Sequence, residues 1–152
     1  MWTAFDIEMM HEALAEASAA MNIGEIPVGA LITKDGKIIA RGHNLRERTK
    51  DPTAHAEITV IRAAANALGD WRLTGCTLYV TLEPCPMCAG AIVAARLSKL
   101  IYGAYDARSG CAGSIYRITE DPAFNHCCPA DGGLMAQECQ LLIQSFLSGK
   151  RG

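Results

Sequence analysis

Two short motifs, His55-Ala56-Glu57 and Pro84-Cys85-Pro86-Met87-Cys88, are separated by 29 residues counted from His55 to Cys85. That interval constrains the fold more than any other feature. It has room for one helix, a turn and one strand, a passage that returns a second helix start to the same end of a sheet as the first. Each motif reads as the first turn of a helix, with Asp51-Pro52-Thr53 ahead of one and Pro84 opening the other. Two thiols three apart at a helix start can face one ion, and the partial positive charge of the helix N-terminus favours the thiolate that a metal needs. One His and two Cys make three ligands and leave a fourth tetrahedral position open for water, the arrangement of a catalytic zinc site. Glu57 lies two positions from His55 and need not share its direction, so it is placed to take a proton from that water and pass it on.

Other readings of the thiols are weaker. A lone CxxC could be a redox pair or half of a structural zinc site, but the first leaves His55 and Glu57 unexplained. The second normally needs another ligand pair, and the adjacent Cys127-Cys128 are poorly spaced for it. Of the seven cysteines, Cys76, Cys111, Cys127, Cys128 and Cys139 read as small buried or semi-buried thiols. His11 and His43 read as structural.

The rest of the chain predicts an α/β fold. Ile7, Met10, Leu14, Ala17 and Met21 recur at helical spacing, with Thr3 and Asp6 placed at the N-terminus and Gly24 at the end. Val28–Thr33 and Lys37–His43 read as strands of a hairpin around Asp35-Gly36. A helix follows with Ile58, Ile61, Ala65 and Leu68 as its buried stripe, then a strand over Cys76–Thr81. The helix after Pro84 carries small residues (Ala89, Gly90, Ala91, Ala94, Ala95) that permit close packing, and Leu100–Tyr105 is a further strand. Ser114–Glu120 reads as a short helix. A last helix runs over 134–147, with Met135, Cys139, Leu142 and Phe146 on one side. A fifth strand near Cys127 suits the pattern, but Pro129 restricts it to an edge or an end. The expectation is a three-layer α/β/α sandwich with a mixed central sheet of about five strands, forming a single domain over residues 1–152.

Charge is less decisive. The net charge of −2 argues against a nucleic-acid partner, yet the first 25 residues hold five of the 16 acidic groups and none of the 14 basic ones. The remainder is net +3, with Arg41, Arg46, Arg48 and Lys50 close together; on charge alone this is an ordinary solvated loop. No apolar run approaches the roughly 20 residues needed to cross a bilayer. The acidic N-terminal stretch is not expected to be a signal peptide, and a cytoplasmic location without membrane attachment follows as the expectation.

H-x-E followed by P-C-x-x-C is the signature of zinc deaminases of nucleobases. With it, the chain resembles the tRNA-specific adenosine deaminases of the cytidine-deaminase superfamily over nearly its whole length. The likeness is carried by Pro27-Val28-Gly29-Ala30, Gly42-His43-Asn44, the run from Asp51 to Glu57 and the run from Thr77 to Cys85. It continues in Met87-Cys88-Ala89-Gly90-Ala91, Gly103-Ala104-Tyr105-Asp106, Gly110-Cys111-Ala112-Gly113-Ser114, Asn125-His126 and Gly132-Gly133. The resemblance implies a cytidine-deaminase-like fold, a homodimer, and conversion of adenosine to inosine at the wobble position of a tRNA anticodon stem-loop. It assigns one zinc per chain to His55, Cys85 and Cys88, and the proton shuttle to Glu57. Asn44 would hydrogen-bond the base, Val28 and Ala56 would line its pocket, and Asp106 would sit beside the neighbouring nucleotides. Cys111, and His126-Cys127-Cys128-Pro129 in place of a regular strand, depart from the family pattern. Two rivals stand beside this reading: a free-base or nucleoside deaminase for guanine, cytosine or cytidine, and a non-catalytic RNA-binding subunit that retains zinc. The presence of Glu57 counts against the second.

Overall fold

A computed structural model describes residues 1–151. The elements run α1 (Ala4–Asn22), β1 (Gly29–Lys34), β2 (Lys37–His43), α2 (Arg46–Thr49), α3 (Ala56–Leu68), β3 (Cys76–Leu82), α4 (Pro86–Ala94), β4 (Lys99–Ala104), a 3₁₀ turn (Ile118–Glu120), β5 (Ala130–Gly132) and α5 (Ala136–Arg151). The five strands form one sheet in the order β2-β1-β3-β4-β5. β1 is antiparallel to both neighbours, while β3, β4 and β5 are parallel. The sheet is therefore mixed, as the alternation of elements predicts. Asp35 and Gly36 both take positive φ, 52° and 75°, which gives the tight turn that the twist of the hairpin requires.

Because side chains alternate across a strand, each strand feeds two cores. Ala30, Ile32, Leu78, Val80 and Leu100 pack with Val60 and Ala64 of α3 and Ile92 of α4 on one face. Leu31, Tyr79 and Ile101 pack with Met9, Met10 and Ala13 of α1 and Cys139 of α5 on the other.

α1 begins on a capping box in which Thr3 and Asp6 exchange side-chain and main-chain bonds. Its buried face is not the expected one. Met10 and Ala17 are inside, but Ile7 is 41% exposed and Ala13 and Ala20 complete the stripe. The reason is proximity to the sheet: a Cβ on Gly29 would stand 2.0 Å from the Ala13 carbonyl oxygen, so small residues are required where α1 crosses that glycine. In α3 the stripe is likewise rotated, to Ala56, Val60 and Ala64, leaving Ile58, Ile61, Ala65 and Leu68 half-buried at its flanks.

The expected helix over Ser114–Glu120 is reduced to the 3₁₀ turn, because Ala112 and Arg117 form a β-bridge and Ser114 is held by Glu83. The fifth strand exists at the edge, starting just after Pro129, whose carbonyl accepts from the Leu100 N–H at 2.9 Å. Cys76, Cys111, Cys128 and Cys139 are buried thiols as expected, whereas Cys127 is exposed. No helix among the described residues is long and apolar enough to cross a membrane.

Candidate metal and catalytic site

The two motifs meet at the carboxyl ends of β2, β3 and β4, the end of an open α/β sheet where sites are built. His55 is the N-cap of α3 and Cys85 the N-cap of α4, both with extended backbone and neither capping its own helix. Their side chains turn to each other instead. His55 Nδ1 lies 3.7 Å from Cys85 Sγ and 3.6 Å from Cys88 Sγ, and the three ligand atoms lie within 4.8 Å of one another. Two ligands on one tetrahedral zinc, with bonds of about 2.1 Å to nitrogen and 2.3 Å to sulfur, stand about 3.6 Å apart. The donor set fits such an ion.

The cluster divides its protons unevenly. A hydrogen bond from Cys88, with help from His55, pulls the Cys85 thiol down to about 4 against its burial. The Cys88 thiol is pushed up, first because its proton is shared with Cys85 and then by burial. Its bond to Cys85 raises the His55 imidazole pKa. Glu57 is 4% exposed, and burial pushes its carboxyl up to about 7 although it lies against the Cys88 thiol and its own N–H. A carboxyl poised near neutrality beside a three-ligand cluster can both take and give a proton.

These groups open onto a cavity of about 270 Å³ lined by His55, Cys85 and Glu57 together with Val28, Asn44, Ala56 and Asp106. Cys88 lies buried beneath. The structure thus gathers at one place the eight residues that the motifs and the resemblance point to for the site. The Asn44 amide is oriented by accepting the Arg46 N–H at 3.1 Å, while its own NH₂ reaches the Ile26 carbonyl only at 3.5 Å. Asp106 Oδ1 accepts from the N–H groups of Arg108 and Ser109 at 3.0 and 3.2 Å.

Sequence reasoning missed two buried carboxylates, Glu83, which lines this cavity, and Glu25, which precedes the lining residue Ile26. Glu25 accepts from the N–H groups of Glu47 and Arg48 at 3.0 and 2.7 Å, fixing the segment that carries Arg46 to the cavity wall. Glu83 binds the opposite loop, and those bonds hold its carboxyl below the usual range although burial opposes them. Glu83 lies in the run that carries the resemblance and Glu25 in none, but no spacing assigns a role to either, so only the fold reveals what they bind. The basic cluster also divides: Arg41 pairs with Glu12 and Glu16 of α1 at 2.6 and 2.9 Å, away from the Arg46 side.

The family described as MafB19-like deaminase matches residues 5–123. The tRNA-specific adenosine deaminase of Bacillus subtilis (strain 168) is 48% identical over 137 residues, which cover 90% of this chain and 85% of that protein. The chain belongs to the tRNA-specific adenosine deaminase family. The enzyme fold agrees with a solved structure from work on A-to-I editing by tRNA:A34 deaminases at the wobble position of transfer RNA, with TM-score 0.86 and 45% identity over 89% of this chain and 98% of that one. A guanine deaminase structure from Bacillus subtilis is 47% identical but covers only 64% of this chain and 63% of its own, with TM-score 0.62.

Proposed function

We propose that this deaminase hydrolyses adenosine to inosine at the wobble position of a tRNA anticodon stem-loop, using one zinc per chain. The observation that carries the reading is the meeting of His55, Cys85 and Cys88 with buried Glu57 on the floor of a base-sized cavity. Zinc held by those three residues supplies a Lewis acid that makes a water nucleophilic near neutral pH. Glu57 takes the proton of that water, delivers it to the ring nitrogen of the base and then serves the departing amine, so that adenosine and water leave as inosine and ammonia. Asn44 hydrogen-bonds the base edge. Val28 and Ala56 shape the slot for its ring, and Asp106 stands at the rim, where the nucleotides beside a flipped-out base must lie.

The protein acts in this reading as a cytoplasmic homodimer of single-domain chains. Support for dimerisation comes from the family resemblance and from Gly90 and Ala94 of α4, which stay exposed together with Tyr116 and Phe124. The guanine deaminase structures either match less of both chains or are only 21% identical, which leaves the tRNA reading ahead.

The test is a substrate panel on zinc-loaded protein. Turnover per unit KM should be far higher for an anticodon stem-loop with a wobble adenosine than for free adenosine, guanine, cytosine or cytidine. Efficient guanine deamination with no action on the stem-loop would overturn the substrate assignment.

A further inference from the structure

Glu83 follows β3 directly and is 2% exposed, yet its carboxylate borders the cavity. Its oxygens are fully engaged by one loop. Oε1 accepts from the Asp106 N–H at 3.0 Å and from the Ser114 hydroxyl; Oε2 accepts from the N–H groups of Ala112 and Ser114 at 3.1 and 2.9 Å. A carboxylate offers about four lone-pair sites, so none remains for a ligand. Glu83 is therefore placed to act on the loop and not on the base.

The loop in turn rests on the carboxylate. A Cβ on Gly110 would come within 2.4 Å of Glu83 Cδ and Oε1. The same segment delivers Asp106 and Ser109 to the cavity. Asp106 Oδ1 is tied back to the N–H groups of Arg108 and Ser109, so the direction of the Asp106 side chain is inherited from the path of the loop. On its outer side the loop has little packing within the chain to hold that path, since Ala107, Arg108 and Ser109 are exposed. Removing the carboxylate would leave the main-chain N–H groups of Asp106, Ala112 and Ser114 without their acceptor, and each such loss is costly when buried.

We propose that Glu83 is a positioning residue for the substrate. It fixes segment 106–114 in the shape that presents Asp106 and Ser109, and so sets how firmly the nucleotides flanking the reacting base are held. The inference rests on the reading of the substrate as an RNA loop.

A double-mutant cycle on zinc-loaded protein tests it, with anticodon stem-loop as substrate and Glu83→Gln and Asp106→Asn made singly and together. Glu83→Gln sets an NH₂ group against N–H donors. It is expected to raise KM about tenfold or more while kcat stays within about threefold. Zinc content should not change. In the Asp106→Asn background the further rise in KM should be less than about twofold, because the two residues act through one contact. Gly110→Ala pushes the loop off an intact carboxylate and should give the same rise in KM, which keeps the test alive where Glu83→Gln fails to fold. Additive effects in the cycle, a lower kcat with KM unchanged, or zinc loss in Glu83→Gln would overturn the proposal. A wild-type protein that ignores the stem-loop overturns the substrate reading and this proposal with it; a wild type that turns it over while the cycle is additive overturns this proposal alone.

Discussion

At the scale of single residues, the proposed chemistry depends on Glu57. It is buried, its carboxyl sits at about 7, and it touches the cluster without being one of the three ligands. Glu57→Ala should therefore keep the metal and lose turnover. The loss of one acid–base group costs about 10²- to 10⁴-fold, and one carboxylate serving three proton transfers should cost at least the upper figure. Elemental analysis beside the rate separates this from Cys88→Ala, which should lose the metal as well. His55, Glu57, Cys85 and Cys88 were all legible in the sequence because metal chemistry demands fixed residue types at fixed spacing. Glu25 and Glu83 were not. A buried carboxylate that binds main-chain N–H groups has no spacing requirement, and before the loops are placed it looks like any surface Glu.

Elements were legible where local rules govern them and shifted where tertiary packing does. The Asp35-Gly36 hairpin and the helix starts at His55 and Cys85 follow from turn and cap chemistry and stand where expected. The buried stripe of α1 is rotated because its backbone crosses close over Gly29, a demand that hydrophobic periodicity cannot register; the stripe of α3 is rotated as well. At the start of α1, Asp6 accepts from the Thr3 N–H and, at 2.7 Å, from the Tyr79 hydroxyl of β3. Burial raises its carboxyl, but these bonds prevail and hold it below its ordinary 3.8. Its contribution is thus present above that value and is lost as the pH falls through the lowered one. Asp6→Asn should cost about 1 kcal/mol at neutral pH, discounted for partial exposure, and the difference from wild type should vanish in strong acid. Urea melts at pH 7 and pH 3 would check this; an equal loss at both would show that the charge plays no part.

On the scale of the whole molecule, charge is distributed by the fold and not by sequence proximity. Arg41 looked like part of a basic cluster, yet β2 directs it to Glu12 and Glu16 on the α1 side of the sheet, while Arg46 reaches the cavity. Binding to RNA should follow this division. Replacing Arg46 and Arg48 by Ala should flatten the fall of stem-loop affinity with salt by about 0.7 in log–log slope for each phosphate contact removed. Arg41→Ala should leave the slope unchanged, as titration between low and physiological salt would reveal.

The central claim is hydrolysis of one adenosine by a zinc–carboxylate site, and isotope tracing addresses it most directly. Zinc-reconstituted protein is incubated in ¹⁸O-labelled water with an anticodon stem-loop, and the digested nucleosides are weighed by mass spectrometry. Inosine is expected at the wobble position alone, carrying one labelled oxygen and matched by one ammonia, with none formed by chelated protein or by Glu57→Ala. Unlabelled product, deamination at other positions, or full activity in the chelated protein would contradict it.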